Sequence, residues 1–466
     1  MSNININHSR KAPEYMPSVY GNTPEMRARD LPGMASVELR ELFPDLPKPI
    51  YVDDNDDVNV FVKQTEDALR NVDMSMITPE TSVNLCCSEH GFVIFGGKPY
   101  LTMLKTIKRV VTERTGCRDL RLRVVMYRTP REGEEVVDYY NLREEFDNNV
   151  ESVCAYDKAV PIETRLGTFY GLEKVYDADK FIYAYYDDPR EIYCHKMYRK
   201  SFKAFTMNMA RYETRSIFHN NMGQIMLNGG SGSAIPMSIF DSEYVSSKYT
   251  FSCFMRSSPA GLYCIDADND LYALDDRVSA SSLKNYALSY HLLRTLDNYN
   301  MIIDGGRWAW YMAGGGIIDG AMVNGYKDFF DLDSASVPPT GSTTAPGLKG
   351  CVVNQSWYGI TFPLSMLMPT IIVGDELANL YKYDICNKPF FMSPNAKITQ
   401  TLPEAVEQLT EITGTDKFIV FDGSFGFINC TESAAEAMVK LAPKIQDKVY
   451  NELYPKYIKQ RGIEIK

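Results

Sequence analysis

Apolar positions in this chain fall into short runs separated by longer stretches with a helical period. Ser82-Val-Asn-Leu-Cys-Cys87 reads as a short buried strand. From Tyr100 to Thr115 the residues Leu101, Leu104, Ile107, Val110 and Val111 share one helical face, and Gly116 stands where a helix C-cap belongs. Leu120 to Met126 is the next strand. Strand, helix and strand at this spacing predict a βαβ unit and a parallel sheet. Asp179 to Tyr186 adds a strand built on Phe181, Ile182, Tyr183 and Tyr185, closed by Asp187, Asp188 and Pro189.

Further on, Tyr249–Phe254 and Gly261–Ile265 read as strands and Ala280–Leu296 as a helix. Asn300–Ile303, Pro369–Val373 and Lys417–Phe421 are strands of a second α/β unit, with a helix over Leu402–Ile412 and another beginning at Glu432 behind Thr431. The pattern predicts an α/β protein of two domains, with mainly parallel sheets flanked by helices and a cleft between them. Their expected extents are an N-terminal α/β domain over 51–280, carrying the chemistry, and a C-terminal one over 281–466. Residues 1–50, broken by seven prolines from Pro13 to Pro49, read as an irregular arm. Such an arm wraps its own domain or crosses to a second copy in a homo-oligomer. Residues 334–350, rich in Ser, Thr, Pro and Gly, read as a flexible surface loop.

The net charge of −11 argues against nonspecific nucleic-acid binding, which needs an excess of Lys and Arg. The most apolar stretch, Ile360–Val373, is interrupted by Pro363 and Pro369 and is too short to span a bilayer. Ten cysteines without a paired CxxC spacing, behind a polar start, suit a reduced cytoplasmic protein.

Candidate chemistry gathers where the predicted strands end, since parallel sheets bind ligands at their carboxyl edge. Ser88-Glu89-His90-Gly91 follows the first strand, Tyr127-Arg128 the second, and Tyr193, His195, Lys203 and His219 lie beyond the third. Three loops thus converge on one edge. Gly314-Gly-Gly-Ile-Ile-Asp-Gly320 lacks the GxGxxG spacing and sits too deep in the chain to open a first βαβ unit, so it reads as a tight turn.

The order of these loops resembles the lactate racemase family, whose members use a nickel-pincer nucleotide. Ser88-Glu89-His90-Gly91 is similar to the family's Ser-Asp-His-Thr-Arg-Pro, and Val125-Met126-Tyr127-Arg128 to its Gly-Phe-His-Arg. The family spaces a catalytic His ten residues before a Lys and that Lys sixteen before a nickel-ligating His; here the positions are Tyr193, Lys203 and His219. Thr370-Ile-Ile-Val-Gly-Asp-Glu-Leu377 and Leu402-Pro-Glu-Ala-Val-Glu-Gln-Leu409 also look like its C-terminal part, so the resemblance runs roughly over residues 80–425. It departs where Tyr127 and Tyr193 replace both catalytic histidines, where Gly91-Phe92-Val93 replaces Thr-Arg-Pro, and where Met197–Phe202 replaces a glycine-rich run.

The resemblance implies an isomerase, a racemase or epimerase of a 2-hydroxy acid or sugar acid. In it His219 binds nickel, Lys203 holds the cofactor, and Ser88, Glu89 and His90 contact cofactor or substrate, with cofactor-maturation proteins as partners. Racemisation needs a base on each face of the substrate. A Tyr phenol, with a reference pKa of about 10, serves only if a cation lowers it. Arg128 beside Tyr127, and Arg190 or His195 near Tyr193, supply candidates. Two alternatives stay open: a relative that binds a small anionic metabolite without turnover, and a non-nickel enzyme using Tyr–Arg pairs as acids.

Overall fold

The structure, a computed structural model, describes residues 7–11, 22–88, 91–92, 97–125, 130–187, 199–218, 233–305, 322, 325–334, 344–355, 367–383 and 396–464. It is an α/β protein with two large, mostly parallel sheets flanked by helices.

The first sheet has six strands: β3 (Val83–Ser88), β4 (Leu120–Val125), β5 (Val150–Val153), β8 (Lys180–Tyr186), β9 (Tyr249–Ser258) and β10 (Gly261–Asp268). Their order is β10-β9-β8-β3-β4-β5, all parallel except β10, which returns antiparallel against β9. The chain steps from β3 outward through β4 to β5, then crosses back to lay down β8 and β9 on the other side. The winding therefore reverses between β3 and β8, and the carboxyl ends of strands at such a reversal are where α/β sheets take ligands.

Both faces of this sheet are covered, and its central strand β8 reads as a nearly unbroken apolar run from Phe181 to Tyr186. On one face Leu85, Cys87, Leu122 and Val124 pack against α2 (Lys98–Thr115) through Met103, Leu104, Ile107 and Val111, and against Phe61 and Leu69 of α1 (Val60–Leu69). Gly116 caps α2 as expected, at φ +76°, its N–H donating to the Thr112 carbonyl at 3.0 Å. On the other face Cys86, Phe181, Tyr183 and Tyr185 meet Phe202, Phe205, Phe240 and Leu274. A separate two-stranded hairpin joins β6 (Ala159–Thr164) to β7 (Gly167–Leu172).

The second sheet has eight strands: β1 (Asn7–His8), β2 (Met34–Glu38), β11 (Tyr299–Asp304), β12 (Leu348–Gln355), β13 (Thr370–Val373), β14 (Ala396–Thr399), β15 (Phe418–Phe421) and β16 (Phe427–Thr431). The order is β1-β2-β16-β15-β11-β12-β13-β14, parallel from β15 to β14 and antiparallel from β15 to β1. It too reverses, between β11 and β15.

Three expectations are corrected. The stretch read as an irregular arm supplies β1 and β2; their partner β16 lies near the other end of the chain, so no local pattern announces the pairing. The end of the 334–350 stretch is β12. Lys349 is exposed, and Gly350 lies so close under α5 (Leu402–Thr413) that a Cβ there would come 2.7 Å from Leu409, which thins the strand signal. Residues 335–343 lie outside the described residues, as does the glycine run at 314–320. Thr431 stands at the N-cap of α6 (Glu432–Lys448), but its hydroxyl donates to the Asp416 carbonyl instead of capping the helix.

The expected helix at 280–296 is the second half of α3 (Leu271–Thr295), begun by Asp270, whose carboxylate accepts from the N–H groups of Tyr272 and Ala273 at 2.9 and 3.2 Å. Leu271, Leu274 and Val278 sit in the core of the first sheet. Leu283, Tyr286, Ala287, Tyr290 and Leu293 sit in that of the second, with Met301, Ile303 and Ile419. The division expected at 280/281 thus falls inside a helix shared by both cores. None of the described helices is long and apolar enough to cross a membrane.

Candidate functional site

The carboxyl edge of the first sheet is built at β3 and β8. Ser88 ends β3, its N–H donating to the Tyr100 hydroxyl at 3.2 Å. That hydroxyl donates onward to the Ala184 carbonyl in β8 at 2.8 Å, so one buried phenol ties the two strands where the winding reverses. Its own proton is held firmly, since burial pushes the Tyr100 phenol well above its ordinary range. Asn208 Nδ2 donates to Ser88 Oγ at 2.8 Å.

Asp187 follows β8 directly and is fully buried. The Lys200 ammonium donates to its Oδ1. Ser282, on α3, donates to its Oδ2 at 3.1 Å and accepts from Lys200 Nζ at 3.1 Å. Arg256 Nε stands 3.6 Å from the same carboxylate, and its Nη1 donates to Asp266 Oδ2 at 2.9 Å. Beside them Asp275, also fully buried, accepts the Ser201 N–H at 2.8 Å and faces Arg199 at 3.7 Å. Burial pulls the Lys200 amine below its ordinary range against the attraction of Asp275, and burial raises the Asp275 carboxyl. Removing one partner of such a buried pair costs about 3–5 kcal/mol.

These contacts fix one segment across the edge. Residues 199–212 are held to α3 through Arg199 and Asp276, to the end of β8 through Lys200, and to the end of β3 through Asn208. Leu172 and Arg211 then join the segment to the hairpin by backbone bonds at 3.0 Å each. Lys203 lies in the middle, in a 3-10 helix over Lys200–Thr206, 7% exposed.

Of the site residues expected from the sequence, Ser88 and Lys203 are described, and the structure brings their segments together at the point of reversal. Glu89, His90, Tyr127, Arg128, Tyr193, His195 and His219 lie outside the described residues. Among the described residues no three His, Cys, Asp or Glu side chains gather to hold a metal ion. Thiol chemistry has little support at this edge, because burial pushes Cys86 up to about 12 and raises Cys87 well above its ordinary range.

The sequence reading missed Asp187 as an ionic centre, along with Lys200, Asn208, Ser282 and Arg256. Asp187 was visible only as a strand terminator, and Lys200 was eclipsed by Lys203 three positions on. Ser282 and Arg256 come from distant elements and carry no local signal.

Fold and edge together define an α/β protein whose first sheet reverses its winding over a buried, ion-paired polar group. No family model matches the chain, and a search of the curated proteins finds no match.

Proposed function

We propose that the carboxyl edge of the first sheet acts on a small anionic metabolite, as a racemase or epimerase of a 2-hydroxy acid or sugar acid. The observation that carries this reading is the fixing of the Lys203 segment over the ends of β3 and β8 by Asn208–Ser88 and Lys200–Asp187. A segment carrying a lysine across a winding reversal lies where parallel sheets take ligands.

The resemblance to the lactate racemase family supplies the rest of the proposal. By that resemblance Lys203 would hold a nickel-pincer nucleotide, which would supply a hydride acceptor. The described residues fit the nucleotide part in offering a buried amine on a rigid segment; the metal part rests on His219, outside them. Ser88 would orient bound groups at the end of β3, Glu89 and His90 would extend that contact, and Tyr127 and Tyr193 would flank the substrate. Each phenol would take the hydroxyl proton only with a cation beside it, Arg128 for one and His195 for the other. The reading makes the protein cytoplasmic, which the eight unpaired cysteines among the described residues support.

Bound nickel and the racemisation of L-lactate, measured on the full chain from cells that also make the cofactor, test this. The expected result is about one nickel per chain, held through an imidazole, with loss of optical rotation. Neither nickel nor turnover, with saturable lactate binding, supports the second reading, a binder without catalysis. The Tyr residues at both expected His positions favour that one.

A further inference from the structure

The second sheet holds a cavity that the proposed reaction does not use. It measures about 590 Å³ and is lined by Asn22 to Met26 from the N-terminal arm, Asn354 at the end of β12, Val373 to Leu377, and Gln400 to Pro403. That size lies within the range of small-molecule sites. Its floor is the carboxyl ends of three neighbouring parallel strands, β12, β13 and β14, the edge at which such sheets take ligands.

The wall from the arm is rigid. Asn22 Nδ2 donates to the Asn354 carbonyl at 2.9 Å, Gln355 Nε2 to the Asn22 carbonyl at 3.1 Å, and Asn354 Nδ2 to the Met26 carbonyl at 2.8 Å. Arg27 and the Ala28 N–H both reach Asp304 Oδ2, at 3.1 and 2.8 Å, at the end of β11. On the opposite side Gly374, at φ +81°, turns β13 into α4 (Asp375–Tyr383) within a single residue.

The lining decides what fits. Glu25, Asp375 and Glu376 offer carboxylate acceptors, and among the described lining residues none is a Lys, Arg or His. A phosphate or carboxylate would meet three like charges. These acids are not gathered closely enough to ligate a metal ion. Donors are present too: Gln400 Nε2, which holds Asp375 Oδ1 at 3.2 Å, and the first N–H groups of α4. Pro24, Met26, Leu402 and Pro403 add apolar surface. A ring carrying several hydroxyls donates to carboxylates, accepts from amides and lays its C–H face on such surface.

We infer that this cavity binds an uncharged polyhydroxylated ring, as found in a free sugar or in the ribose of a nucleoside. Calorimetric titration of the full chain with D-ribose, adenosine and inorganic phosphate tests it, with far-UV circular dichroism to establish that each variant is folded. Saturable binding of ribose or adenosine is expected, with no phosphate binding; ribose alone identifies a free sugar and adenosine alone a nucleoside. Asp375→Asn/Glu376→Gln should weaken binding by at least about tenfold. Thr23→Trp, which fills the cavity and leaves its carboxylates in place, should abolish it. Phosphate binding, no binding of either hydroxylated probe, or binding that both variants leave unchanged overturns the inference. Because the readout is binding at the second sheet, any of these results leaves the first-sheet reading standing.

Discussion

Asp187 and Lys200 are thirteen residues apart and meet in a place with no access to water. Ser282 adds a hydrogen bond to the Asp187 carboxylate and Arg256 a second cation beside it. Asp187→Asn removes the counter-charge and leaves the buried amine against a neutral amide. The loss should be about 3–5 kcal/mol, read as a lower urea midpoint at unchanged slope. Asp187→Asn/Lys200→Met takes away both charges and should recover a large part of that loss. A single variant within about 1 kcal/mol of the parent would mean that water reaches the pair. At this scale the end of β3 at Ser88 was readable from the strand pattern, whereas burial that turns a common Lys or Ser into part of a charge network was not.

Among the elements, α2 was legible because its apolar positions make one stripe and Gly116 ends it. Only half of α3 was legible, since its two halves face different cores and Asp275 and Asp276 interrupt the first. The second half docks against α7 (Tyr454–Arg461) through His291, whose Nε2 lies 2.9 Å from the Tyr457 hydroxyl, which donates to Asp328 Oδ2 at 2.6 Å. Burial pulls the His291 imidazole down to about 4, opposed by Asp328 and assisted by Arg294 and Lys448. The unfolded chain takes up this proton near pH 6.5 and the folded chain only near pH 4. The contribution is therefore whole above pH 6.5 and is lost as pH falls toward 4, amounting to about 3 kcal/mol. His291→Gln keeps a donor to Tyr457 but cannot titrate. Its stability should fall less than the parent's between pH 7 and pH 4.5 in denaturant unfolding. Equal falls would show that His291 is not the group responsible.

For the whole molecule, the α/β class and the parallel pairing of β3 with β4 followed from spacing alone. Strand order did not, because it is set by pairings such as β2 with β16 and by a crossover from β5 back to β8 that no local window contains. Of the candidate residues expected at one edge, only Ser88 and Lys203 are described, and the contact of Asn208 with Ser88 joins their segments. The decisive measurement is the mass of the tryptic peptide containing Lys203, in protein from cells that also make the cofactor. The account predicts a nucleotide-sized addition on Lys203 that is absent from Lys203→Ala. An unmodified Lys203 in protein that still turns over a 2-hydroxy acid would contradict it.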